Sequence, residues 1–176
     1  MFQTLSTENA LEYIKNNNHI VGLNASNIDF SNIVLCDKQF FACTFRNCIF
    51  TNCRLEKLFC RMCIFEFSNF NESLFKDCDI KFCSFAGSIF NETNFIACNS
   101  IQNNFNGIQT QNCTFDDSDL YASRFILSTF SKTIFKNCNV KKTAFLECHN
   151  NGVTFKTSNT REAIFDRNGS LLSQGK

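Results

Sequence analysis

Residues 44–53 read TFRNCIFTNC, and within them Phe45 and Phe50 stand five apart, as do Cys48 and Cys53. An α-helix repeats about every 3.6 residues and a strand about every 2, so neither keeps each fifth side chain on one side for long. Followed outward from this stretch, the period holds from Ile20 to Phe165. Of the thirty multiples of five in that range eighteen are Phe, and the register never slips. Two positions before each bulky residue lies a second slot of small residues, such as Cys43, Cys48, Cys63, Ser68, Ser73, Cys83, Ser88, Thr93, Ser123 and Cys138. A small residue, a spacer and a bulky residue make the in-out-in alternation of a very short strand. The two remaining positions are rich in Asn, Asp, Lys, Glu and Ser, as a solvated corner is. Each unit of five cannot bury its bulky residue alone, so successive coils must stack.

The exceptions to Phe reveal how many units close a coil. Cys60, Ile80, Ser100, Leu120, Val140 and Thr160 are spaced by twenty, whereas Phe45, Phe65, Phe85, Phe105, Phe125, Phe145 and Phe165 form an unbroken series at the same spacing. A triangular coil of fifteen residues would scatter the exceptions, and a square coil of twenty gathers them on one face. The reading is all-β: a quadrilateral β-helix of about seven coils at ~4.8 Å per coil. Smaller side chains on one face leave room for rings arriving from the others.

These units, as in CDIKF, SNFNE and CNVKK, resemble the pentapeptide repeat family, whose pattern is a small residue, Asp or Asn, Leu or Phe, and two variable residues. The resemblance spans roughly residues 20–166 and implies a right-handed quadrilateral β-helix. The chain departs from the pattern in its heavy use of Cys in the small slot and in often lacking Asp or Asn between the inward residues. The expected organisation is a cap over residues 1–19, the β-helix over 20–166 and a tail over 167–176. Residues 7–15, TENALEYIK, are expected to form the capping helix, with Thr7 as its cap and Leu11 and Ile14 on one face. Leu171 and Leu172 are expected to fold over the last coil.

The chain of 176 residues carries 17 Lys and Arg against 16 Asp and Glu, with neither the basic footprint of a nucleic-acid binder nor the acidic body of a DNA mimic. No secretory leader and no apolar run of membrane-spanning length is present, so a monomer in the cytoplasm is expected, specialised secretion aside.

Twelve cysteines raise metal and disulfide chemistry. Cys60 and Cys63 form one CxxC with no second pair at ribbon spacing, and His19 and His149 are the only histidines. In the register both cysteines point inward as small hydrophobes. Stacked cysteines are held about 4.8 Å apart with parallel Cβ vectors, beyond disulfide reach. Cys36 falls in an outward slot and is the expected exposed thiol. Cys148 and His149 are adjacent on a strand and point to opposite faces, so they form no nucleophile and base. Phosphate loops and hydrolase motifs are missing. No catalytic residue, metal ligand or cofactor site is expected.

What remains is the outer surface. Phe2, Phe41, Phe59, Phe67 and Phe82 stand outside the bulky slots, and three of them fall on the face centred on positions 40, 60 and 80. There Phe41, Phe59, Met62, Phe82, Ile101 and Tyr121 accompany Arg61 and Lys81, with Lys141, Lys142 and Arg161 further along. This aromatic and basic surface is the candidate protein-binding face. The face centred on 50, 70 and 90 presents Thr51, Asn71, Asn91, Gln111, Ser131 and Asn151 instead. The bland alternative is that corner aromatics cover ladder edges and pack on one another. The resemblance implies an interaction protein without enzymatic activity, in a family that includes bacterial effectors delivered into host cells. It also implies a second possibility, a DNA-mimicking gyrase binder giving quinolone protection, against which the near-neutral charge and uninterrupted register count. A thiol-redox or metal-binding protein is the third.

Overall fold

The computed structural model describes residues 6–166, so the calls on Phe2, Leu171 and Leu172 lie outside the described residues. Every strand pairing is parallel and joins residues twenty apart, as in Ile20 with Phe40, Phe40 with Cys60, and Phe115 with Phe135. Four ladders result, one per side, centred on the 40, 45, 50 and 55 series; where three-residue strands lapse, single bridges such as Thr44 to Ile64 continue them. The structure is thus a four-sided β-helix, as the period of the exceptions requires.

The core is built from stacked rings. Phe45, Phe65, Phe85, Phe105, Phe125, Phe145 and Phe165 lie nearly parallel with centroids 4.8–5.3 Å apart. Neighbouring columns meet edge to face, as Phe115 meets Phe125 at 86°. Both arrangements suit the aromatic quadrupole, the parallel one only when the rings are offset. Bending is equally regular. All positions two past the bulky slot from 22 to 162 have positive φ, and only Gly22, Gly87, Gly107 and Gly152 among them are glycines.

The small slot is more than packing. Its side chains donate to the carbonyl of the bulky residue one coil back: Ser68 Oγ to Phe45 O at 2.8 Å, Ser128 Oγ to Phe105 O at 3.0 Å, and Cys48 Sγ to Ala25 O at 3.0 Å. The same hydroxyls accept a backbone N–H, as Ser68 Oγ does from Cys48 at 3.0 Å. Ser, Thr and Cys therefore recur because they pair backbone groups that the ladder leaves over at each bend.

The cap is helix α1, Thr7–Asn16, with Ala10 and Ile14 buried against the first coil and Leu11 partly so. Its N-cap is Ser6, not Thr7: Ser6 is extended, and its side chain accepts from the N–H of Asn9 at 3.3 Å. A hydroxyl accepting from the third residue onward must belong to the residue before the first helical one, and Thr7 is already helical. The other end of α1 is held by Lys38, which occupies a small slot. Its Nζ donates to Lys15 O at 3.0 Å, Asn17 O at 2.9 Å and Asn18 Oδ1 at 2.8 Å. A buried ammonium on the negative end of a helix is satisfied by both charge and geometry.

Candidate partner-binding surface

The off-register aromatics divide into two kinds. Phe41 and Phe59 are half-buried and pack on each other with ring centroids 5.3 Å apart, and Phe41 also lies 5.0 Å from the His19 ring. Arg61 stacks on Phe59 with Cζ 3.8 Å from the ring centroid. Three of its five N–H donors are engaged: Nη1 donates to Cys60 O and Asp79 O, each at 3.0 Å, and Nη2 to Asp79 Oδ2 at 2.6 Å. Lys81 Nζ lies 3.1 Å from Asp79 Oδ1. Burial pushes the Asp79 carboxyl up, but the hydrogen bonds from Arg61 and Lys81 outweigh it and hold the group below its ordinary range. Arg61 and Lys81 are therefore both paired within the protein, and Arg61 covers Phe59, which in turn packs on Phe41.

Met62 and Phe82 are of the second kind. They stand one coil apart on the corner next to that cluster, 61% and 55% exposed, each at a left-handed bend with φ of 55° and 58°. Ile101 and Tyr121 continue the same edge and are half-buried, with Lys142 Nζ 5.9 Å from the Tyr121 ring centroid. Phe67, which the sequence reading set apart because it falls on a different edge, is 64% exposed. It stands at the next corner of the same coil, separated from Met62 by half-buried Ile64 and by Glu66, which pairs with Arg46 at 2.8 Å. Its ring lies over Gly87 one coil on, where an added Cβ would come within 2.6 Å of two ring carbons. Met62 and Phe82 thus form an exposed apolar pair on adjacent coils, with Phe41, Phe59 and Arg61 packed beside it, while other exposed apolar side chains such as Val34 and Leu127 lie at other corners.

The cysteines are no part of it. Ten of them are buried, Cys148 is half-buried near the last coil, and Cys36 is exposed with its thiol donating to Asp37 Oδ2 at 3.1 Å. Among the described residues no group of three or more His, Cys, Asp or Glu is arranged to hold a metal ion. No described helix is long and apolar enough to cross a membrane.

No protein-family model and no curated protein sequence matches the chain. Solved structures do. A trypsin-treated form of QnrB1, a plasmid-mediated fluoroquinolone resistance protein, is similar over 85% of this chain and 91% of its own, with 14% identity and a TM-score of 0.52. HetL, a pentapeptide repeat protein involved in heterocyst differentiation regulation from the cyanobacterium Nostoc sp. strain PCC 7120, is similar over 93% and 95%, with 8% identity and a TM-score of 0.41. At such identities what is shared is the architecture, and the fold of this chain is that of the pentapeptide repeat proteins.

Proposed function

We propose that the chain is a non-enzymatic scaffold that binds a protein partner through the surface around Met62 and Phe82. One observation carries the reading: two large apolar side chains stand exposed on adjacent coils at left-handed bends, beside a cluster that is internally satisfied. Neither fills the core, and contiguous exposed apolar surface is characteristic of contact sites. The interior is filled by stacked rings, so a partner meets the rod at its outer surface. In a pull-down, the unaltered protein retains its partner and the Met62→Ser, Phe82→Ser variant loses it by at least about tenfold, as central hot spots do. Full capture by a folded variant would sink the reading.

A second reading, gyrase binding with quinolone protection, draws on the likeness in fold to a fluoroquinolone resistance protein. Expression in a susceptible bacterium, with the inhibitory quinolone concentration as the readout, separates the two. The scaffold reading expects no change.

A further inference from the structure

The edge that carries Met62 and Phe82 changes character along the rod. In its first half the cations are consumed, Arg61 and Lys81 both by Asp79, so what faces solvent is apolar. In its second half Lys141, Lys142 and Arg161 share one carboxylate, that of Glu162, at 3.4, 3.8 and 3.6 Å. Among the described residues no other carboxylate is in salt-bridge reach of these three cations, so that end keeps a positive excess. Lys142 follows Phe82 by three coils, about 14 Å along the rod.

We propose that this edge takes an acidic amphipathic helix of a protein partner, its apolar residues on Met62 and Phe82 and its carboxylates on Lys141, Lys142 and Arg161. The inference rests on the protein-binding reading above and adds the chemistry of the partner. The backbone along the edge is already paired from coil to coil, as Gln102 N to Tyr121 O at 2.9 Å and Ala122 N to Lys141 O at 3.1 Å, so a partner strand finds no free ladder to join. Recognition falls to side chains repeating every 4.8 Å or so, and a helix laid parallel offers one about every 5.4 Å. The mismatch accumulates to only about 2 Å over three coils. A helix also carries partial negative charge at its C-terminus, which places that end over the cations. Nucleic acid requires positive charge along its whole track, and half of this edge is apolar and neutral.

The test is fluorescence anisotropy with a synthetic helical peptide of roughly 20 residues, bearing two leucines one turn apart and three glutamates on the same face about ten residues later. A peptide with lysine for each glutamate and a single-stranded oligonucleotide of similar length are the comparisons. The acidic peptide binds, the basic one does not, and Lys141→Glu with Lys142→Glu weakens binding about tenfold at low salt and less at high salt, as screened charge pairs do. Lys142 is exposed and Lys141 half-buried, and both pair with Glu162, so Lys141→Gln with Lys142→Gln, which adds no carboxylate beside Glu162, is measured alongside the reversal and weakens binding in the same direction. Equal binding of the two peptides, tighter binding of the oligonucleotide, or indifference to the reversal overturns the proposal. Should Met62→Ser with Phe82→Ser abolish capture of the natural partner while the reversed lysines keep it, the scaffold reading stands and the acidic helix falls. Should neither variant matter, both fall.

Discussion

Two edges of the rod share one backbone and differ in what they carry. Asn32 and Asn52 on one, and Met62 and Phe82 on the other, all bend left-handed, at φ of 64°, 55°, 55° and 58°. Asparagine tolerates that conformation, and here its amide is also used, Asn52 Nδ2 donating to Asn32 Oδ1 at 2.7 Å along the stack. Methionine and phenylalanine have neither compensation. Such a side chain costs the backbone about 1 kcal/mol at the bend and fills no core position, as Leu127 does at another corner with φ of 58°. The fold fixes what points inward and how each corner turns; it leaves open what the corner displays.

That division is broken most directly from the inside. Phe105 lies between Phe85 and Phe125 at 5.1 and 4.8 Å, and Phe105→Ala should cost about 3–5 kcal/mol in chemical denaturation. Leu120, on the face of smaller residues, should cost about 2 kcal/mol as Leu120→Ala. Equal costs would mean that the sides of the square are not distinct and that the comparison of edges has no frame.

The inward thiols supply a second test. Burial pushes Cys48 and Cys138 up to about 11, and Cys148 likewise. In the unfolded chain these thiols ionise at about 8.5, so above that pH the unfolded state binds fewer protons than the folded one and stability falls as pH rises. The contribution is complete below about 8.5 and is lost on the way to 11. Denaturation midpoints measured from neutral to alkaline pH should drop in that window, and Cys48→Ser with Cys138→Ser should flatten the drop. An unchanged slope would remove the thiols from the interior account.

The outward residues reverse the sign. Phe82→Gly should raise stability by about 0.5–1 kcal/mol, because glycine enters the left-handed bend without a steric cost. The same change should weaken partner capture. A loss of both stability and capture would make Phe82 a structural residue, and the contrast between the edges would then be one of packing.

Much of this was legible in the sequence because inward slots obey a strict period. The unbroken Phe45 to Phe165 series and the interrupted Cys60 to Thr160 series gave the number of sides before any coordinates. What escaped depends on contacts between coils or on a single offset. Lys38 stands in a small slot where the period alone gives no reason for a cation, and the end of α1 explains its burial. Asn103 sits in a small slot for a similar reason: its Oδ1 accepts from Cys83 N at 2.9 Å and its Nδ2 donates to Ile80 O at 2.9 Å, doing with one amide what serine does elsewhere. Within the candidate surface, the register placed Met62 and Phe82 outward but did not show that Arg61 is locked. The signal was present, since Asp79 flanks the strand position one coil on, diagonal to Arg61. Phe67 was visible as off-register and was set aside because faces, rather than the corners joining them, were compared.

The smallest expected effect is the sharpest control on the comparison. Asn71 and Asn91 stand on the edge of Asn32 and Asn52, at the corner position without positive φ, so alanine fits their backbone. Their Oδ1 atoms are buried with no hydrogen-bond partner, unlike the amide of Asn52. Replacing both by alanine removes two unpaired acceptors and no packing of consequence, so stability should stay within about 0.5 kcal/mol of the original, with any change toward higher stability. Partner capture should be unaffected, measured beside the Met62→Ser, Phe82→Ser variant in the same pull-down. If instead the asparagine variant loses capture and the apolar one keeps it, the assignment of the two edges is inverted: the unpaired acceptors would then be the groups a partner satisfies, and the apolar corner would be the bystander.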